Sequence, residues 1–346
     1  MATVKDINKT IFRKLAAGTN INIDAFHKIR VFLTEEEHER LANSLHLLST
    51  YVFSRNVCFA LVELDAEIYF LTVGLVNELN YVSLQPIDNR NELSLAIVAK
   101  CEVERLFSVN ETTLSDKIFV SPEVEDVQWE DIEVFFPVVQ TYKVKDSVAG
   151  IPVVNEYLKR LALFALCCHN NLLILDFESS TLQKYIDVID AGDPNIPVDN
   201  LLHSLGSNYW KFCFIDLYRC VERLFVLGWV HNYKTTMNSG LPPQPIYEAL
   251  KNRFKIVKRE DDNINYLFSL LSPAALSMLD GVRGTMNHDN YIYQELRNKI
   301  VHYQKDDAVI NNISSDKWNM VVRFMLVAIL ELYPQFSAYI AALPNE

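Results

Sequence analysis

The hydrophobic pattern of the chain changes near Lys145, and that change limits the fold more than any other feature. Before it, apolar residues fall in short β-branched and aromatic runs; after it, they fall in long helical ones. Residues 56–76 are rich in Val, Phe, Ile, Leu and Tyr on either side of the polar stretch 63–67, which predicts two strands and a turn. Residues 93–109 carry a similar signal, with alternation over 99–107, and 118–120 and 132–139 read as further strands. Pro137 places the last of these at an edge or a strand end. Further upstream, Leu41, Leu45 and Leu48 recur at helical spacing behind Glu35, Glu36 and Glu37, so 34–49 is expected to be a helix with its acidic turn at the positive end of the dipole. Residues 1–145 are therefore expected to form a mixed α/β domain.

Beyond Lys145, residues 153–175 are apolar on most sides and predict a helix buried among others. The polar link 187–200, with Pro194 and Pro197 as breakers, reads as an internal boundary or a surface loop. Residues 207–230 predict the strongest helix, with Trp210, Phe214, Leu217, Val221, Leu224 and Phe225 on its apolar face and Gly228 as its end. Asp216, Arg219 and Arg223 give it one polar stripe. Helices are expected over 246–258, 264–279 and 291–304, the last capped by Asp289 or Asn290. A final helix is expected over 315–333, with Pro334 as its stop. The expected whole is α+β, a mixed α/β domain (1–145) of unassigned role followed by an all-α helical bundle (146–346).

Half of the 346 residues are apolar and 22% are charged, an ordinary balance for a folded protein. The net charge of −12 argues against a general nucleic-acid coat but leaves room for a local basic site. Residues 251–259 hold five Lys and Arg in nine, which fits a phosphate-binding run and fits equally a solvated helix end. The acidic stretch 123–133, with Trp129 inside it, reads as a solvated surface or as a docking site for a basic partner. The six cysteines contain no C-x-x-C pair and read as buried free thiols. Cys167, Cys168 and His169 are adjacent on a predicted helix, where neighbours point about 100° apart and do not converge on one atom. No metal and no cofactor are expected. Polar residues interrupt the apolar runs 161–177 and 320–333, which are expected to be too short and too polar to span a bilayer. The start lacks the apolar core of a signal peptide, so the expectation is a soluble cytoplasmic protein with no membrane partner.

Acid–base chemistry is most concentrated in the window 295–303, inside a predicted helix. Asn298 and His302, four apart, share a helix face; Arg297 and His302, five apart, sit about 140° around the axis. Arg offers a cationic planar fork to a phosphate, His exchanges protons near neutral pH, and Asn orients a hydroxyl or an imidazole. These are parts for cleaving RNA without a metal: His302 on the 2′-hydroxyl or the leaving 5′-oxygen, Arg297 on the charge growing at the phosphate. Products would be a 2′,3′-cyclic phosphate and a 5′-hydroxyl. One helix supplies one His, so a site with both acid and base implies a homodimer. Lys299 and Tyr303 flank these groups and are candidate substrate contacts.

The spacing of Arg297 and His302, with Asn298 directly after the Arg, resembles the R-x4-6-H motif of the HEPN superfamily (higher eukaryotes and prokaryotes nucleotide-binding domains). The aromatic-rich segment 218–225 looks like that superfamily's first bundle helix, which places the bundle core at about 206–333. The resemblance implies a dimerising helical bundle and a metal-independent endoribonuclease. It further implies a conditional toxin or an antiphage, abortive-infection effector with an inhibitor or defence-system partner. Some members use an acidic residue on another helix, and Glu222 is the candidate here. In members modified by a partner nucleotidyltransferase a Tyr stands two positions after the His; Tyr303 stands one after. Two other readings accompany this one. The bundle serves only for dimerisation or partner binding, or Arg297 pairs with Asp289 or Glu295 and His302 is an ordinary helix-end histidine.

Overall fold

The computed structural model describes residues 4–123, 126–145, 153–250, 260–302 and 308–342, and within them the chain is α+β. It divides into two units, Met1–Ala162 and Leu163–Glu346, with the division inside helix α6 and C-terminal to the boundary expected near 145. The first unit holds helices α1 (Val4–Ala16), α2 (Glu35–Glu39), α3 (Asn91–Lys100), α4 (Glu111–Lys117) and α5 (Trp129–Glu133) and the start of α6 (Val154–Cys168). Its strands are β1 (Arg30–Val31), β2 (His46–Ser54), β3 (Val57–Leu64), β4 (Glu67–Val73), β5 (Leu84–Ile87), β6 (Asp126–Val127) and β7 (Val139–Val144).

Five strands form an antiparallel sheet in the order β2-β3-β4-β7-β5. Asp65 and Ala66, both at positive φ (52° and 64°), make the two-residue turn that joins β3 to β4. β3 is buried on both faces: Cys58, Ala60 and Val62 belong to the core that α1 and α3 share, while Phe59 and Leu61 point the other way. Phe59 stacks on Phe70 of the neighbouring strand at 6.0 Å. Pro86 lies in β5, an edge strand, where its missing N–H costs no ladder bond.

The largest departure from the expected strands is 91–100, which is helical. Leu93, Leu95, Ala96, Ile97 and Val98 are all buried, so the stretch is apolar on nearly every side and shows no helical period. Residues 118–120 follow α4 as a turn rather than a strand, and 132–139 splits into the end of α5, a bend and the start of β7. The helix expected over 34–49 is only α2, closed at its start by a capping box between Thr34 and Glu37, and a π turn over Arg40–Ser44. Leu48 falls in β2, whose cross-strand partners on β3 outweigh the helical spacing of the leucines.

Among the described residues the second unit is helical: the rest of α6, then α7 (Ser179–Asp190), α8 (Val198–Leu205), α9 (Trp210–Glu222), α10 (Phe225–Thr236), α11 (Pro243–Glu248), α12 (Glu260–Ser269) and α13 (Pro273–Ser277). The link 187–200 is the end of α7, a turn built on Asp193 and Asn195, and the start of α8. The helix expected over 207–230 is two, α9 and α10, broken at Arg223 and Leu224. Gly228 is not an end; it lies inside α10, where an added Cβ would stand 2.8 Å from Leu267 Cδ2 of α12. The helix expected over 264–279 is also two, α12 and α13, separated by the Ser272 cap. Of the expected 246–258 helix only the part before 251 is described; the basic run 251–259 lies outside the described residues.

Next come three consecutive helical segments, His288–Asn290, Tyr291–Asn298 and Lys299–Val301, the middle one π-wound, which together form the motif helix. Asn287, not Asp289 or Asn290, stands at its N-cap. A short turn, Ala308–Asn311, precedes the C-terminal helix, Ser315–Ala342. That helix runs through Pro334 instead of stopping there. A mid-helix proline costs about 3 kcal/mol. Apolar packing beyond it offsets that loss: Phe336 is fully buried, and Phe336 and Tyr339 meet the His231 ring of α10 at 5.5 and 5.3 Å. By length and composition the 28-residue helix is long and apolar enough to cross a bilayer, contrary to the expectation for 320–333. Val321, Val322, Phe324, Met325, Leu326, Ile329 and Leu332 on it are buried in the fold.

Gly74 follows β4 at φ +82°, and a Cβ there would lie 2.1 Å from the Asn56 carbonyl oxygen. Gly74→Ala is expected to lower stability by about 2–4 kcal/mol, from the left-handed backbone and the clash together. Urea unfolding of the two proteins measures it; equal midpoints would refute the strained turn.

Candidate functional site

Three helices bring charge together around Arg297. α9 contributes Tyr218 and Glu222, four apart and so on one face. The first residue of α12 contributes Glu260, and the motif helix contributes Tyr293, Arg297 and Asn298. α9 is fixed against the C-terminal helix, where the Tyr333 hydroxyl donates to the Cys220 carbonyl at 3.0 Å and Phe214 meets Trp318. α12 is held to the start of the motif helix by Asn265 Nδ2, which donates to Asp289 Oδ2 at 3.1 Å.

The Arg297 side chain is only 13% exposed. Its Nη2 lies 2.8 Å from Glu260 Oε2 and 3.7 Å from Glu222 Oε1, and its Nη1 donates to Asn298 Oδ1 at 2.9 Å. The guanidinium stands over the Tyr293 ring at 5.4 Å and the Tyr218 ring at 6.0 Å. Tyr293 Oη donates to Glu260 Oε2 at 3.1 Å, so one carboxylate oxygen receives both donors. Tyr218 is 2% exposed, and its hydroxyl has no hydrogen-bond partner among the described residues. Burial pushes the Tyr218 phenol far above its ordinary range, against the pull of Arg297. The Tyr293 phenol is raised by burial and then by Glu260.

Glu222 thus stands beside Arg297, though no sequence spacing connects them. Glu260, Tyr293 and Tyr218 were not candidates from the sequence. Their one signal there is weak: Tyr293 precedes Arg297 by four, a same-face spacing. The expected pairings of Arg297 with Asp289 or Glu295 do not form, since Asp289 holds Asn265 and Glu295 holds Lys299 at 2.5 Å. Lys299 is therefore engaged on its own helix.

His302 is not gathered into this cluster. It is exposed, at the end of Lys299–Val301, and its backbone N–H donates to the Asn298 carbonyl at 2.9 Å. Asn298 does not hold its ring; the amide is taken by Arg297 and by Gln294, to which Nδ2 donates at 3.0 Å. From 298 to 302 the helix is α-wound, which leaves Arg297 and His302 on different faces. Tyr303 lies outside the described residues.

No family model, no curated protein and no solved structure matches the chain. Among the described residues no three His, Cys, Asp or Glu side chains gather to hold a metal ion. Cys167 is buried and its thiol is pushed well above the ordinary range, Cys168 is exposed, and His169 Nδ1 meets the Ala165 carbonyl oxygen at 2.9 Å, so the three point apart. His288 faces Asp280 at 3.6 Å. In the acidic stretch, Trp129 is a buried core residue, Asp126 pairs with Arg30 at 2.6 Å, and Glu123 lies 3.5 Å from Lys28. A groove of about 1420 Å³ in the first unit is lined by Phe12, Phe26, Lys5, Lys9, Asp24 and Glu36 among others, a mixture of charge that selects no ligand class.

The 2.8 Å Arg297–Glu260 pair and the 3.7 Å Arg297–Glu222 pair differ in what their loss exposes. Glu260→Gln is expected to lower stability by about 1–2 kcal/mol and Glu222→Gln by under about 0.5, because each glutamate is partly solvated and screened. Chemical denaturation of the two variants checks the order; a larger loss for Glu222→Gln would contradict it.

Proposed function

We propose that the chain is a metal-independent RNA endonuclease of the HEPN type, with Arg297 and His302 as its catalytic pair. The observation that carries the reading is the meeting of Arg297 with Glu222 of a separate helix, in a helical unit that leaves His302 exposed at a helix end. A phosphate needs a cation at close range, and the Arg297 guanidinium, held mostly out of solvent, is the motif's candidate for it. An exposed histidine is also what a composite site requires, since its partner in proton transfer has to come from outside the helix.

In this mechanism the 2′-oxygen attacks phosphorus and the bond to the 5′-oxygen breaks. One His302 takes the 2′-hydroxyl proton, and the His302 of a second copy gives a proton to the 5′-oxygen. Arg297 stabilises the charge gathering on the non-bridging oxygens. Asn298 holds the guanidinium in the pose seen here and acts as a positioning residue, with Glu222 in the same role. Lys299 and Tyr303 are the candidate contacts to flanking nucleotides. Such an enzyme, in a cytoplasmic setting, suits a conditional toxin or antiphage effector kept in check by an inhibitor.

A second reading is a non-catalytic HEPN-like interaction protein that dimerises or binds a partner. Two observations favour it: Arg297 is already paired with carboxylates, and the chain carries a net charge of −12.

The two readings separate in an RNA cleavage assay run in EDTA. The enzyme reading expects 2′,3′-cyclic phosphate ends, a loss of about 10²–10⁴ in rate for His302→Ala, and a comparable loss for Arg297→Ala. It also expects a homodimer on sizing and relief of growth arrest by His302→Ala. Cleavage that survives both substitutions would remove the mechanism, and absence of cleavage by any form would leave the interaction protein.

A further inference from the structure

The Arg297 cluster has one donor more than its resident acceptor uses. Glu260 Oε2 takes both Arg297 Nη2 and Tyr293 Oη. The Tyr218 hydroxyl, buried and within electrostatic reach of Arg297, Glu222 and Glu260, donates to nothing among the described residues. A buried hydroxyl left without a partner costs free energy comparable to a lost hydrogen bond. A carboxylate is planar and directs its acceptors into one plane. A phosphate is tetrahedral and offers acceptors in further directions, which suits a guanidinium fork with phenols on two helices.

We propose that the space held by the Glu260 carboxylate is a phosphate-binding subsite, with Arg297, Tyr293 and Tyr218 as donors and Glu260 as the intramolecular occupant that keeps it closed. The subsite deepens the ribonuclease reading and rests on it for the identity of the phosphate, an RNA phosphodiester. Glu260 occupies the subsite as an anion covalently tethered to α12. An RNA phosphate enters by displacing it, and the Tyr218 hydroxyl gains the partner it lacks. Glu222, at 3.7 Å from the guanidinium, stays beside Arg297 in both states. The arrangement gives the protein a restraint of its own, separate from any inhibitor.

The test measures binding, so that it does not depend on catalysis. The probe is a short single-stranded oligodeoxynucleotide, fluorescently labelled, which has phosphodiesters but no 2′-hydroxyl to attack. At fixed ionic strength, Glu260→Gln is expected to bind it about tenfold more tightly than the unaltered protein. Glu130→Gln, which removes the same charge from an exposed position on α5, is expected to leave binding unchanged. Adding Tyr218→Phe or Arg297→Ala to Glu260→Gln is expected to cancel most of the gain. Should Glu260→Gln not fold, Glu260→Asp serves, since a carboxylate one methylene shorter draws back from Arg297 at unchanged charge. Binding by the folded variant no tighter than by the unaltered protein would overturn the subsite, as would a gain that survives Arg297→Ala. His302-dependent RNA cleavage with no Glu260 effect sinks the subsite and leaves the nuclease; a Glu260 effect on DNA binding without RNA cleavage does the reverse.

Discussion

The C-terminal helix has to be covered along most of its length, and the second unit is arranged around that requirement. Apart from Asn319 and Ala328, its buried residues, from Trp318 to Phe336, are large and apolar. Each contributes on the order of 1.5–3 kcal/mol when removed from water. α7, α9, α10, α11 and α13 all pack on it. The placement of α9 is what matters for the site, because Tyr218 and Glu222 take their positions from it. Hydrophobic burial at one helix thereby sets where charge is presented at another.

Arg297 is the opposite case, a charge brought into a mostly buried setting at the junction of three helices. A guanidinium cannot lose its proton, so burial must be answered by acceptors. Glu260, Glu222 and the Asn298 amide answer it here. This saturation explains how a reactive-looking side chain and a stable helical fold coexist. It also explains why proximity of Arg and His in sequence is a poor measure of proximity in space: the arginine faces inward to its carboxylates while His302 sits at a solvated helix end.

The fold was legible where local pattern and burial agree. The hairpin of β3 and β4 announces itself by β-branched and aromatic runs around a polar turn, and the helices after Lys145 by their length. It was illegible where burial is nearly complete: α3 is apolar on nearly every side and reads as a strand. At Pro334 the local rule pointed to a stop, and contacts with His231 some hundred residues away overrode it. In the site, the motif residues and Glu222 were named from the sequence, yet Glu260 was not. Its pairing with Arg297 is a tertiary event across helices, and no periodicity encodes it.

The π winding of Tyr291–Asn298 has a consequence for register. A turn closed by i→i+5 bonds holds one residue more than an α turn, which offsets everything after it by about 100° around the axis. The π winding ends at Asn298, ahead of His302. The direction in which His302 leaves the helix, relative to buried Tyr291, Ile292 and Leu296, is therefore written in residues that a search from Arg to His never reads. Two chains with identical motifs but different winding upstream would present the histidine to different neighbours.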